Sequence, residues 1–167
     1  MAAPSRAARV TARDILRHVT APTAIEPPYV DEHTRVVAAS PEDVWAALGD
    51  VFTGTSTRRR TRIGVTLLGC EDRTATGDLA VAGSTIAGFH VTAARRGEEL
   101  RLEGRHRFSR YVLTFRIAPL DDARTRLTAV THAAFPGIGR AYGALVVGTG
   151  LHRIATRGLL RTIARAA

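Results

Sequence analysis

A near-continuous succession of segments in which apolar and polar residues alternate is the feature that most constrains the fold of this chain. The period-two alternation predicts half-buried β-strands, and the connections, such as Arg96-Gly97, are short and turn-like. Parallel strands need long crossover connections, for which these turns leave no room. The pattern therefore predicts a curved antiparallel sheet of about six to seven strands. The predicted strands are His33–Ala39, Arg62–Leu68, Thr74–Val81, Thr85–Ala94, Glu98–Phe108, Arg110–Ile117 and Arg124–Phe135.

A first helix is predicted after Ser40. Serine is a good N-cap, and the Pro41-Glu42-Asp43 segment that follows suits the first turn of a helix. Gly49 is expected to end this helix, with a short second helical turn after it. Residues 54–60, rich in Thr, Ser and Arg, are expected to form a loop.

The last 32 residues, Pro136–Ala167, predict one long C-terminal helix of roughly eight turns at about 3.6 residues per turn. Its apolar stripe has a polar middle formed by Thr149, His152 and Thr156, close to glycines at 143, 148 and 150. A helix that only packed on a core would rarely carry such residues there. We therefore expect the helix to close over a pocket in the concave face of the sheet, an α+β arrangement, while Leu159, Leu160 and Ile163 anchor it.

Composition is compatible with one domain that has a sizeable core. The chain has 167 residues, 45% of them hydrophobic, and a formal net charge of +9. Residues 1–30 are expected to be a partly ordered arm and residues 31–167 the folded domain. The N-terminus lacks the apolar run of a secretory signal, and the single cysteine, Cys70, excludes a disulfide within the chain, so a cytoplasmic location is expected.

The order strand, helix, strands, long helix, together with Val36–Leu48 (VVAASPEDVWAAL), resembles the SRPBCC superfamily, which includes START lipid-binding domains, the major birch-pollen allergen fold and polyketide cyclases. The run from GRHRFSRYVLTFRI to the C-terminus is similar to an actinobacterial branch of that superfamily without an assigned activity. The resemblance covers about residues 33–167. It implies a helix-grip fold, in which the sheet wraps around the C-terminal helix and encloses an apolar cavity, but it transfers no catalytic residues.

Polar side chains that the patterns turn toward this cavity are the candidate site. Strand alternation directs His106 and Tyr111 inward, and helix periodicity directs Tyr142 and His152 inward. A few polar groups that converge in an apolar pocket are typical of small-molecule sites, and His and Tyr can also move protons. The predicted ligand-binding set is His106, Tyr111, Phe115, Tyr142, Leu145, Thr149 and His152, with His90 and Thr131 as further candidates. Among these, His106, Tyr111 and His152 are candidate catalytic groups.

Other sites receive less support from the residues. The glycine-rich run 137–143 lacks the parallel βαβ unit and the acidic residue that a dinucleotide site needs. The six histidines show no metal-ligand spacing, so no metal and no cofactor are predicted. A basic ridge of arginines, Arg153, Arg157, Arg161 and Arg165, could contact anionic membrane or RNA but more commonly would be a solvated face, and no DNA partner is expected.

The sequence thus predicts a protein, monomer or homodimer, that binds a small hydrophobic molecule of lipid, polyketide or isoprenoid type. Two alternatives stay open. One is a cyclase- or dehydratase-like enzyme that uses the His and Tyr groups of the same cavity. The other is a basic surface-binding module.

Overall fold

The computed structural model describes residues 26–57, 59–137 and 139–167. Most of the predicted arm, residues 1–25, lies outside the described residues. The strands are β1 (Tyr29–Val37), β2 (Thr85–Ile86), β3 (Phe89–Arg95), β4 (Glu99–His106), β5 (Ser109–Asp121) and β6 (Arg124–Ala134). The helices are α1 (Pro41–Thr57), α2 (Arg59–Leu68), α3 (Gly139–Val146) and α4 (Leu151–Ala166).

All six strands form one antiparallel sheet in the order β1-β6-β5-β4-β3-β2. Strands β2 to β6 follow one another as a meander, and β1 joins the far edge beside β6. The sheet is curved and α4 packs against it, so the predicted α+β helix-grip fold is confirmed. The inward and outward faces predicted for β4 are also confirmed, since Leu100 and Leu102 are buried and Arg105 is exposed.

Helix α1 begins as predicted and ends later. The Asp43 backbone N–H donates to Ser40 Oγ at 3.2 Å, which is the expected N-cap contact. Beyond Gly49 the helix continues to Thr57, because Phe52 packs into the core one turn after Leu48. The predicted loop over residues 54–60 is therefore wrong.

Two predicted strands are not strands. The segment Arg62–Leu68 lies in helix α2, where Val65 and Leu68 share one face because they are three residues apart. The segment Thr74–Val81 consists of turns, apart from an isolated bridge between Thr76 and Thr85. Its Leu79 is nevertheless buried in the core.

The C-terminal helix is interrupted, which corrects the prediction of a single helix. Helix α3 ends at Val146, and α4 begins after Gly150, whose φ of 74° is left-handed and easily adopted only by glycine. None of the helices in the described ranges is both long and apolar enough to cross a membrane.

The interior has two parts that share the same strands. In one part, α1 and the C-terminal half of α4 fill the concave face of the sheet, and Leu160 and Ile163 are buried as predicted. In the other part, helices α2 and α3 and the first turns of α4 face the sheet across open space. Strand β5 runs through both, since Phe115 and Ile117 belong to the packed part and Tyr111 and Leu113 to the open one.

Candidate functional site

A cavity of about 300 Å³ lies in the open part of the interior. Apolar side chains form most of its wall, and a few polar groups interrupt them. Its lining residues are Val30, Val65, Leu68, Cys70, Ala87, Gly88, Phe89, His106, Ser109, Tyr111, Leu113, Thr131, Ala133, Phe135, Val146, Val147, His152 and Thr156. The volume lies at the lower end of the range found for small-molecule sites.

Three of the predicted site residues line this cavity. His106 and Tyr111 come from neighbouring strands, and their rings lie 5.4 Å apart between centroids. His152 comes from the first turn of α4, one turn before Thr156, which also lines the cavity. Thr131, named as a further candidate, lies on the same wall.

The other predicted residues lie elsewhere. Phe115 is fully buried in the packed core, where its ring meets Phe52 edge-on. Leu145 is 62% exposed, and Thr149 is exposed, with its hydroxyl donating to the backbone oxygen of Leu145. Both predicted positions assumed one continuous helix, and the break after α3 rotates them away from the cavity. The side chain of Tyr142 lies outside the described part of the structure.

His90, a further candidate, does not line the cavity either. Its Nδ1 lies 3.0 Å from Asp72 Oδ2, on the face of β3 opposite to the cavity-lining Phe89.

A buried carboxylate links His152 to a second histidine. His152 Nε2 lies 3.1 Å from Asp31 Oδ1, and His33 Nε2 lies 3.2 Å from Asp31 Oδ2. The side chains of Asp31 and His33 are each only 11% exposed. The hydroxyl oxygens of Thr131 and Thr156 lie 3.2 and 3.4 Å from the same Nε2. One imidazole nitrogen at the cavity wall thus faces three oxygen atoms.

Local backbone geometry places Asp31 there. The register between β1 and β6 shifts between Tyr29 and Asp31, which leaves Val30 as the extra residue of a β-bulge. Such a bulge re-aims side chains, and here Val30 lines the cavity while Asp31, directly opposite Thr131, is buried beside it.

His106 is held in one neutral tautomer. The Phe108 backbone N–H donates to His106 Nδ1 at 3.1 Å, so the ring hydrogen is on Nε2, which donates to Ser109 Oγ at 2.9 Å. Burial lowers the pKa of His106 and favours this uncharged form. Because the Ser109 oxygen accepts a hydrogen bond from His106, its own hydroxyl hydrogen is left to point at a hydrogen-bond acceptor, such as an oxygen atom of a ligand.

Tyr111 and Cys70 form a third polar point on the wall. The Tyr111 hydroxyl donates to the backbone oxygen of Gly88 at 2.6 Å and lies 4.0 Å from Cys70 Sγ. Burial raises the pKa of the Cys70 thiol, so it stays protonated at neutral pH.

An open groove beside α3 adjoins the cavity. It shares Val30, Ala133, Phe135 and Val147 with the cavity wall. Gly143 lies directly over the Phe135 ring, since a Cβ atom there would be 2.7 Å from the ring carbon Cγ. Helix α3 therefore rests on Phe135 at the point where groove and cavity meet.

Residues 32–167 match the family described as polyketide cyclase/dehydrase and lipid transport. The match covers more than half of the chain. The chain belongs to this family. No protein of curated function matches the sequence.

Solved structures share the fold at low sequence identity. A conserved protein from Geobacillus kaustophilus is 21% identical with a TM-score of 0.51, over 80% of this chain and 91% of that one. Norcoclaurine synthase from Thalictrum flavum is 13% identical with a TM-score of 0.53, over 83% and 94% of the two chains. CalU16 from Micromonospora echinospora is 15% identical with a TM-score of 0.51, over 80% and 70%. At these identities the likeness concerns the fold alone.

The arginine ridge lies on the solvent side of α4. Arg153, Arg157, Arg161 and Arg165 are all exposed. This agrees with the solvated face favoured by the sequence, and contact with membrane or RNA through them stays an untested alternative. Within the described ranges, no group of three or more His, Cys, Asp or Glu side chains could hold a metal ion.

Sequence reasoning missed several residues of the cavity wall and its surroundings. Asp31 lies before the predicted first strand, which began at His33, although its spacing of two from His33 places both on one face of β1. Ser109 and Cys70 lie at strand and helix ends, where alternation gives no signal. The partner of Asp31 is 121 residues away in the chain, so no local pattern could pair the two.

Proposed function

We propose that this protein binds a small hydrophobic molecule of lipid, polyketide or isoprenoid type in the cavity between the sheet and helices α2, α3 and α4. The observation that supports the proposal is a mostly apolar cavity of about 300 Å³ with polar groups at separate points of its wall. Membership of a family of polyketide cyclases, dehydrases and lipid-transport proteins agrees with it.

The polar groups indicate the shape of the ligand. Ser109 lies at one end of the cavity-lining part of β5, and Leu113, whose partner on β6 is Thr131, lies at the other. Four residues of strand separate them by about 13 Å. The wall therefore suits an elongated apolar molecule that carries oxygen atoms near both ends, one beside Ser109 and one beside Thr131 and His152.

Direct binding tests the proposal. Native mass spectrometry of the purified protein should show a bound apolar species. Once any such species has been extracted, the protein should form a stoichiometric complex with the fluorescent probe 8-anilinonaphthalene-1-sulfonate. Near-UV circular dichroism should stay native during the titration, because partly unfolded proteins also bind this probe.

Two matched variants locate the binding. Ala133→Leu adds three carbon atoms to the cavity wall, and Ala155→Leu adds the same atoms at an exposed position of α4. The first should weaken probe binding at least about tenfold and the second should leave it unchanged, since lost pocket volume removes apolar contact. Absence of any bound species and of probe binding, or equal binding by both variants, would contradict the proposal.

A second candidate function is cyclase- or dehydratase-like catalysis in the same cavity. His106, Tyr111 and His152, the three residues named as acid–base candidates, all lie on its wall, and His152 faces a buried carboxylate. This arrangement supports the second candidate, because a carboxylate that orients an imidazole is a common device for proton transfer.

A further inference from the structure

A second groove lies on the outside of the protein, between the edge strand β1 and helix α4. Residues 32–35 form its strand side, and Arg157, Leu160 and Arg161 form its helix side. The volume of this β1–α4 groove is about 360 Å³, and none of the described residues that line it also lines the cavity. A ligand held there is therefore separate from a ligand of the cavity.

Three arginines from two distant parts of the chain meet in the β1–α4 groove. Arg35 comes from β1, and Arg157 and Arg161, one helical turn apart, come from α4. The one carboxylate among the described lining residues belongs to Glu32. With His33 counted as neutral, three arginines and one glutamate leave a formal charge of +2. Both walls of the groove thus contribute positive charge.

The charges of these three arginines are not compensated by the protein. Over residues 26–57, 59–137 and 139–167, the arginines in salt bridges are Arg95, Arg101, Arg105, Arg116 and Arg124. The arginines of the groove are not among them, although Glu32 lines the same groove. Arg157 and Arg161 also repel each other weakly, because like charges four residues apart on a helix are destabilising. A bound anion would relieve that repulsion.

The inner surface of the groove is fixed by contacts with the rest of the protein. The side chain of His33 is only 11% exposed, and its Nε2–H donates to Asp31 Oδ2 at 3.2 Å. Leu160 is 2% exposed and belongs to the core. Above this surface Arg35, Arg157 and Arg161 are exposed, so a ligand can reach them. A surface that is already ordered loses less entropy when a ligand binds.

We propose that the β1–α4 groove is a second ligand site and that its ligand is a phosphate monoester. Such a group carries about −1.5 to −2 charges at neutral pH, which matches the formal charge of +2 in the groove, whereas a carboxylate carries only one. A guanidinium group suits phosphate because two of its N–H groups can donate in parallel. The volume exceeds that of a free phosphate ion and lies within the range of small-molecule sites, so the organic part also fits. The proposal does not depend on the ligand of the cavity.

Phenyl phosphate and phenyl sulfate are matched probes of this site, because they are similar in shape and the sulfate carries less negative charge. Amide NMR titration at physiological ionic strength should show phenyl phosphate binding with a dissociation constant of about 1 mM or below. The shifted amides should be those of residues 32–35 and 157–161. Phenyl sulfate should bind at least about fivefold more weakly. Equal binding of the two probes would contradict the assignment to phosphate.

Two double variants of α4 distinguish a site from general attraction by positive charge. Arg157→Gln with Arg161→Gln removes two charges from the groove, whereas Arg153→Gln with Arg165→Gln removes two exposed charges that do not line it. The two proteins have the same composition and net charge. The groove variant should bind phenyl phosphate at least about tenfold more weakly, because it loses charge-assisted hydrogen bonds. The control variant should change the affinity less than about twofold, since salt screens distant charges. Equal losses would overturn the proposal.

Glu32→Gln should increase the affinity, a result that a folding defect cannot produce. It removes the carboxylate of the groove, so phenyl phosphate should bind about two- to fivefold more tightly, the range expected for one exposed charge pair. Ala133→Leu, which narrows the cavity, should leave this affinity unchanged. A weaker binding in Ala133→Leu would place the probe in the cavity and overturn the assignment to the groove.

Vesicles separate the two sources of a phosphate monoester. Phosphatidylcholine vesicles that contain phosphatidic acid present this group as a lipid headgroup, whereas phenyl phosphate presents it in solution. If the vesicles bind the wild-type protein and the control variant but not the groove variant, the site takes a lipid headgroup. If only phenyl phosphate shows this dependence, the ligand is a soluble ester. If neither shows it, the second site is wrong, and ligand binding in the cavity is unaffected.

Discussion

Tyr111 lies across Gly104 on the neighbouring strand, directly opposite it in the β4–β5 ladder. A Cβ atom at Gly104 would be 2.6 Å from Cζ of the Tyr111 ring, a distance that real Cβ atoms essentially never show. The absence of a side chain at Gly104 therefore lets the Tyr111 ring lie flat against the sheet, where its hydroxyl reaches Gly88. This contact shapes the cavity wall.

Gly104→Ala is therefore expected to displace the Tyr111 ring and break its hydrogen bond to Gly88. The free energy of unfolding should fall by about 1–3 kcal/mol, the usual cost of overpacking, and probe binding should weaken. Urea denaturation and fluorescence titration measure the two effects.

Gly49→Ala is the control for that substitution. A Cβ atom at Gly49 would meet nothing within 4 Å, and the residue lies inside α1. Alanine there should raise the free energy of unfolding by about 0.5–1 kcal/mol, because it reduces the entropy of the unfolded helix segment. Equal effects of the two substitutions would contradict the assigned contact.

Phe115→Leu should separate stability from binding. Phe115 is fully buried against Phe52 in the packed part of the interior, whereas Leu113, two residues earlier, lines the cavity. We expect Phe115→Leu to cost on the order of 1–2 kcal/mol of stability with little change in probe affinity. Leu113→Ala should change the affinity instead. A large loss of affinity in Phe115→Leu would mean that Phe115 contacts the ligand, contrary to its position in the packed core.

The strands that surround the cavity were predictable from sequence because side-chain alternation is local. In β4 and β5 the period of two places Leu100, Leu102 and Phe115 on the inner face, and each is buried. How far along β5 the cavity extends is not local, since it depends on where α1 stops filling the concave face. Alternation alone could not show that α1 fills the concave face beside Phe115, so this residue was wrongly predicted to contact the ligand.

Helix α2 shows where alternation misleads. Ile63, Val65 and Leu67 alternate as in a strand, yet Ile63 and Leu67 are 48% and 75% exposed and only Val65 is buried. Three apolar residues over five positions fit a strand and a helix alike. Tertiary packing decides between the two, because as a helix the segment turns Val65 and Leu68 toward the cavity.

The break between α3 and α4 occurs at glycines that can be read directly from the sequence. Gly148 and Gly150 flank Thr149, and Gly150 adopts a left-handed φ of 74°. The periodicity of a continuous helix nevertheless placed Leu145 and Thr149 on the stripe of His152. A helical stripe is therefore informative only on one side of such a break.

Stability should fall as the pH decreases through the titration range of His106. Burial lowers the pKa of this imidazole below its ordinary value of 6.5. The unfolded chain therefore takes up a proton first as the pH falls from about 6.5, and the unfolded state gains relative to the folded one. The contribution of the uncharged His106 ring to the free energy of unfolding is complete above that pH. It is lost progressively as the pH falls toward the lower pKa that His106 has in the folded protein.

His106→Gln checks the assignment, because glutamine can keep the hydrogen bonds to Phe108 and Ser109 without titrating. Urea denaturation at about pH 7.5 and about pH 5.5 gives the two free energies of unfolding. The wild type should lose more stability between them than the variant. Equal losses would show that His106 does not carry this pH dependence.

Cys70 provides a reporter of the cavity, because it is the only cysteine of the chain and lies on the cavity wall, 3% exposed. Burial raises the pKa of its thiol and limits access to the sulfur, so dithionitrobenzoate should label the native protein roughly 100-fold more slowly than the protein in guanidinium chloride.

A smaller thiol reagent that enters through the groove beside α3 should react with Cys70 faster than dithionitrobenzoate does, and 8-anilinonaphthalene-1-sulfonate should slow that reaction by occupying the same space. Ala133→Leu, which narrows the cavity, should slow it too, whereas Ala155→Leu on the surface of α4 should not. Labelling that ignores both the probe and the Ala133 substitution would mean that Cys70 is reached by another route, and that the groove is not the entrance to the cavity.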